Sequence, residues 1–316
     1  MSNELLNWER AKKAGLSQSS SLVVVDIGGT RVKLGGICEG VPIDPIEQLY
    51  VEDIRHGNII NNLAQCIEDF RNRNALRLDG TVVTVPGFIG TDFDRILRCD
   101  NVKELQGMLL GSTLNKVLKV PIVLERDTIL LLKGEHAAGS AKNQDNVAGV
   151  FIGTGIGASF LESGSPFRGN GWALELGHIP VWPVYHDRKK THGLTLENIS
   201  SGAKLRQFAQ KYEVPIENLF RCASGNSDLE SELDLVISYH AFSASVMIST
   251  FSPKMILFGG GVVELAGYPF ERLKRQISLQ IPNTDLETIT EIQKASLGWK
   301  SVLQGTIAFL QPSKGD

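Results

Sequence analysis

Residues 22–26, Leu-Val-Val-Val-Asp, form an unbroken apolar run that ends in an acid and passes directly into Ile27-Gly28-Gly29-Thr30. A strand that is apolar at every position has both faces covered, as in sheets flanked by helices on two sides. The pattern returns in TVVTVPG (81–87), PIVLERD (121–127), VAGVFI (147–152) and MILFGGG (255–261). Two of these runs also meet glycines, Gly153-Thr154-Gly155-Ile156-Gly157 and Gly259-Gly260-Gly261, so the first turn is echoed even though sequence repetition is weak. Helical periods lie between them: near 59–72 (Ile59, Leu63, Cys66, Ile67, Phe70), at 203–211, at 232–250 and from about 298. This alternation predicts an α/β architecture.

A chain of 316 residues suits two domains. The predicted division is an extension over 1–21 (a short amphipathic helix with Leu5, Leu6 and Trp8, then a Ser-rich link), a domain over 22–120 and a second over 121–316. The last helix is expected to pack back on the first domain. A net charge of -3 gives no positive field to hold a nucleic acid or an anionic membrane, so a small-molecule partner fits better. Cys38, Cys66, Cys99 and Cys222 are scattered without a CxxC pair and read as reduced thiols. With no uninterrupted apolar stretch of signal-peptide or membrane-spanning length, the expected location is the cytoplasm.

A glycine turn after a buried strand can take positive φ and aim backbone N–H groups at an anion, which outlines a phosphate cradle. Each turn alone reads equally well as a tight bend packed against a neighbour. A GxxxxGK[ST] loop is absent, because Lys33 is followed by Leu34, and no GxGxxG opens a helix after the first strand. What is left is three strand-closing turns that could grip a triphosphate without a Walker lysine.

Phosphoryl transfer needs positioning, a divalent metal on the phosphates and a carboxylate that takes the proton of the attacking hydroxyl. Asp127 stands where one predicted strand ends and a helix begins, a position that also suits a plain helix cap. Glu175 and His178 lie three residues apart among small and apolar residues, so one helical turn would face both the same way. Such a pair can bind adjacent hydroxyls of a polyol; a structural hydrogen-bonded pair or a metal ligand at His178 reads the spacing as well.

Seven elements stand in the order and spacing of the ROK family of sugar kinases and repressors, and the chain resembles that family over almost all of residues 22–310. They are VVVDIGGTRVKLG (23–35), VPG (85–87), ERD (125–127), GTGIG (153–157), GWALELGH (171–178), Glu197 and LFGGGVV (257–263). The resemblance implies a two-domain actin-like ATPase (ribonuclease-H-like) fold with a cleft between the domains, closing over ATP, Mg²⁺ and a monosaccharide, commonly in a homodimer. It assigns Asp127 as catalytic base and Gly87, Asn101, Arg126, Glu175, His178 and Glu197 as sugar contacts. Asp26 would position Mg²⁺ or its waters. Gly28, Gly29, Thr30 and Lys33 would approach the phosphates, Thr154 and Gly155 would meet them from the other domain, and Gly259, Gly260 and Gly261 would border the adenosine. Phosphorylation at the 6-hydroxyl is a family expectation.

Two departures modify these expectations. Most of the family binds a structural zinc through the histidine of the GH motif and three cysteines, yet the segment VWPVYHDRKKTHGLTLE (181–197) has no cysteine, so no zinc is expected. His186 and His192 are poor substitutes beside Arg188, Lys189 and Lys190, and packing of Trp182 and Tyr185 is expected to hold the loop instead. Arg126 replaces the asparagine that most members use against the sugar. A planar cation with five donors reads another hydroxyl pattern. Arg126-Asp127 and GHIP (177–180) look like the bacterial D-allose kinases, which points to D-allose or another aldohexose or N-acetylhexosamine. Two rivals are a DNA-binding regulator, disfavoured because only 21 residues precede the first strand, and a non-catalytic sugar sensor, disfavoured by Asp26, Asp127 and the three turns.

Overall fold

The computed structural model describes residues 8–9, 11–171, 173–182, 194–281 and 290–311. The chain divides into two compact units. The first runs to Lys142 and includes Pro166–Ala173 and the chain from Trp299 on; the second comprises Asn143–Ser165 and Leu174–Gly298.

In the first unit β1 (Leu22–Ile27), β2 (Arg31–Cys38), β3 (Val41–Tyr50), β4 (Gly80–Thr84) and β5 (Ile122–Glu125) form one sheet in the order β3-β2-β1-β4-β5. The hairpin strands are antiparallel, while β1, β4 and β5 run parallel. Pairing in a pleated strand sends alternate side chains to opposite faces. Val23, Val25 and Ile27, with Val83 and Leu124, therefore join the core under α1 (Ile59–Arg73) and α2 (Leu110–Leu118). Leu22 and Val24, with Val82 and Val123, face the other way, toward Leu130 of α3 (Asp127–Ala138) and Val302, Leu303 and Ile307 of the closing helix Lys300–Leu310. Both faces are covered, which is why these strands carry no polar alternation.

The boundary expected near 120 falls after Lys142 instead. Strand β5 pairs with β4 from Thr81↔Ile122 to Thr84↔Glu125, so it and α3 complete the first sheet rather than open a second. The closing helix belongs to the same unit and lies in backbone contact with α3: a side chain on Gly134 would meet Ser301 O at 1.8 Å, and one on Gly305 would meet Leu130 O at 2.1 Å. The described part of the expected N-terminal extension packs on the first unit. Trp8 is buried, stacks on Phe309 with ring centroids 4.5 Å apart, and donates its indole N–H to Glu125 Oε2 at 3.1 Å.

The second unit repeats the plan. β6 (Val147–Ile152), β7 (Ile156–Glu162), β8 (Ser165–Pro166), β9 (Met255–Gly259) and β10 (Glu291–Lys294) have the order β8-β7-β6-β9-β10, with β6 and β7 antiparallel and β6, β9 and β10 parallel. Ala148, Val150, Ile152, Ile256 and Phe258 pack with Leu205 of α5 (Gly202–Lys211), Leu233 and Ile237 of α6 (Ser227–Phe251) and Ile277 of α7 (Phe270–Gln280). Ahead of α5 stands the short helix α4 (Leu196–Ser200). Among the described residues no helix is long and apolar enough to cross a membrane.

Within this core His240 is fully buried between Ser200 O at 2.7 Å and the Tyr268 hydroxyl at 2.9 Å. Burial penalises the imidazolium and pushes its pKa down to about 4. The unfolded side chain titrates near 6.5 and so binds more protons than the folded one between the two values. Stability is full above pH 6.5 and is lost as pH falls toward 4. In His240→Gln the urea midpoint should vary less with pH over that window than in the wild type, and an unchanged slope would assign the acid loss to other groups.

Candidate active site

Parallel strands present their C-terminal ends along one edge of a sheet, where α/β proteins place their sites. On the edge formed by β1, β4 and β5 the sequence puts Asp26 with the first glycine turn, Gly87 just beyond β4, and Arg126-Asp127 just beyond β5. Asp127 is the first residue of α3, with Arg126 at the cap position, and its Oδ1 accepts the Thr128 N–H at 2.7 Å. It is partly exposed between the buried residues Arg126 and Thr128. The field at a helix N-terminus favours the anion there.

Asp26 is held by two neutral donors: Oδ1 accepts the Thr84 hydroxyl at 2.6 Å, and Oδ2 accepts the Trp299 indole N–H at 2.9 Å. An ionised carboxylate has about four lone-pair sites, so acceptor capacity remains on both oxygens for a metal ion or its waters. The residues present thus fit the Mg²⁺ role. Lys33 lies directly across the ladder from Asp26.

The positive φ expected of the turn glycines is found at one of the five positions Gly28, Gly29, Gly153, Gly155 and Gly260. Gly28, Gly29, Gly153 and Gly155 lie outside the left-handed region; among the turn glycines Gly260 adopts it, at φ 91°. What the first two turns require is room. The Gly28 N–H closes the hairpin on Arg31 O at 2.9 Å, and a side chain there would strike that oxygen. One on Gly29 would meet the Asn101 side chain at 3.1 Å, so a residue expected at the sugar abuts the turn expected at the phosphates. Gly87 likewise admits Arg98 O, which would lie 2.1 Å from an added Cβ.

In the second unit Glu175 precedes a 3₁₀ turn over Leu176–His178, closed by the His178 N–H on Glu175 O at 3.0 Å. Glu197, in α4, accepts the Ile156 N–H on Oε2 at 3.0 Å. Its carboxylate fills the space that side chains on Gly155 and Gly177 would take, joining the glycine turn, the 175–178 turn and α4. The third turn stands beside the second: the Val262 N–H donates to Ile152 O at 3.0 Å. Thr154 O accepts the Ala203 N–H at 3.1 Å. Tyr185, His186, His192 and the side chain of Trp182, on which the zinc-free loop was read, lie outside the described residues.

A buried network was not foreseen. Glu125 receives Arg168 Nη1 at 2.8 Å and Nη2 at 2.6 Å, the Arg126 N–H at 2.8 Å and the Trp8 indole. Burial alone would raise the Glu125 pKa, but the Arg168 guanidinium and these hydrogen bonds hold it below the usual carboxylate value. Arg126, expected to read the sugar, is buried and donates Nη1 to Ala173 O at 2.5 Å. Glu125 and Arg126 together therefore anchor the 168–173 loop beside the strand that leads to Asp127. The signal was a lone arginine in Pro-Phe-Arg-Gly-Asn, since a buried charge must find a partner.

The profile of the ROK family matches residues 22–312. A glucokinase of Halalkalibacterium halodurans is 25% identical over 265 residues, spanning 76% of this chain and 80% of that protein. The ROK family glucokinase of Streptomyces griseus, solved in complex with glucose and AMPPNP, superposes with a TM-score of 0.78 at 19% identity, covering 92% and 99% of the two chains. A ROK family transcriptional regulator, a homolog of the E. coli MLC protein, superposes at 0.76 with 18% identity, covering 97% of this chain and 86% of its own.

Replacing Arg168 by Met removes the guanidinium that offsets the buried Glu125 carboxylate and should lower the unfolding free energy by about 3–5 kcal/mol in urea denaturation. Adding Glu125→Leu should recover most of that loss. A single-variant loss below about 1 kcal/mol would show that the ion pair carries little of the local stability.

Proposed function

The chain belongs to the ROK family, and from that premise we propose that it is an ATP-dependent hexose kinase with Asp127 as its base. The observation that carries this reading is the placement of Asp26 in the last pair of β1 with β4 and of Asp127 just past β5, at the same C-terminal edge of a single sheet, one braced by neutral donors and the other at a helix N-terminus.

In this reading Asp127 accepts the proton of the attacking hydroxyl as that oxygen bonds the γ-phosphorus, and the β–γ bridging oxygen departs with ADP. Bound Mg²⁺ neutralises phosphate charge. Asp26 orients the metal side, while Gly28, Gly29, Thr30 and Lys33 attend the phosphates. Asn101 and Gly87 belong to the acceptor side of the first unit. Glu175, His178 and Glu197 supply hydroxyl contacts from the second, where Thr154 and Gly155 attend the phosphates and Gly259–Gly261 border the adenosine. Glu197 spends part of one oxygen on the glycine turn, so its sugar contact and that turn are linked.

The acceptor is proposed as D-allose or another aldohexose or N-acetylhexosamine, phosphorylated at the 6-hydroxyl. Arg126 stands where most members carry a sugar-facing asparagine and gives its Nη1 to Ala173 O, so that amide contact is missing, which is the reason to look beyond glucose. Because the fold also serves a transcriptional regulator, fold alone does not decide between catalysis and sensing. Turnover does. With ATP and a hexose panel, one sugar should stimulate ADP release, and Asp127→Asn should lower kcat by about 10²–10⁴-fold with sugar binding retained. Undiminished turnover in the variant removes Asp127 from the role, and sugar binding without turnover in the wild type supports the sensor.

A further inference from the structure

We infer that Trp299 is a positioning residue for Asp26, setting the plane of the carboxylate that addresses the metal; this rests on the metal-side reading of Asp26 above. Trp299 is the residue at which the chain returns to the first unit, immediately before the closing helix. Its Nε1–H reaches Asp26 Oδ2 across 273 positions of sequence. The Thr84 hydroxyl holds the other oxygen, so two donors on separate elements fix both ends of the carboxylate.

The placement of the ring is built into the sheet. Strand β2 has Gly35 two residues beyond Lys33, on the same face, and Lys33 is the ladder partner of Asp26. A side chain at position 35 would lie 2.7 Å from Trp299 Cζ3, 3.0 Å from Cη2 and 3.1 Å from Leu303 Cδ2. Glycine here makes the bed for the indole. The helix that carries the ring is in turn locked to α3, whose first residue is Asp127, through the Gly134 and Gly305 contacts. One rigid pair of helices thus bears both the brace of Asp26 and the proposed base.

The kind of donor matters. Indole N–H and threonine O–H orient a carboxylate without adding positive charge, whereas a lysine or arginine in the same place would compete with a divalent cation. Indole is also donor-only and keeps one role at every pH the protein survives. A carboxylate that loses one of two braces can rotate away from the geometry a bound metal requires, and hydrogen bonds to charged groups are the stronger kind.

The test uses AMPPNP and MgCl₂ with the full chain. Trp299→Phe keeps the ring over Gly35 and deletes the donor; Thr84→Val deletes the other. By titration calorimetry, the Mg²⁺ concentration giving half-maximal AMPPNP binding should rise about tenfold in each variant, with hexose affinity and thermal midpoint close to wild type. Asp26→Asn is measured alongside. If it raises the Mg²⁺ requirement while Trp299→Phe and Thr84→Val do not, the brace is overturned and the Asp26 reading stands. If Asp26→Asn also leaves the requirement unchanged, the metal-side reading itself fails and the inference falls with it.

Discussion

The parallel pairing of β1, β4 and β5 is the constraint on which the first unit depends. Parallel strands need helical crossovers, so their faces are buried, their sequences are apolar throughout, and their C-terminal ends collect along one edge. Asp26, Gly87 and Asp127 share that edge for no other reason than this register. Moving β5 by one residue would turn Val123 and Leu124 to the wrong faces, so the cores on both sides of the sheet also fix where the acids stand.

Charge is managed differently at the two acids. Asp26 is braced by uncharged donors and keeps acceptor capacity, while Glu125, two residues before Asp127, is neutralised by a bidentate arginine and sealed by Trp8. The first arrangement suits an acid that must meet a ligand's cation; the second suits one whose duty is internal. Glu125 and Arg126 grip the 168–173 loop, so the ERD motif does structural work with its first two residues and presents the third.

Much of this was legible in the sequence. The strands appeared as apolar runs because both faces are covered, and the three turns appeared at their ends. The reason for their glycines was not legible, because a close approach such as Gly155 to Glu197 depends on a residue 42 positions away. The boundary was misplaced since nothing local in PIVLERD says which sheet the strand will join. Trp8 with Glu125, Arg168 with Glu125 and Trp299 with Asp26 are single long-range side-chain contacts, and such contacts leave no periodicity to read. The family's motifs supplied candidate residues but said nothing of Trp299 or Arg168.

In the proposed transfer Asp26 and Asp127 act together, and a double-variant cycle of Asp26→Asn with Asp127→Asn on kcat/KM measures their coupling. Residues that act as a unit lose little more together than the worse of them loses alone. The double variant should therefore lie within about tenfold of the slower single variant. Losses that multiply in full would mean that the shared sheet edge does not assemble one reaction centre.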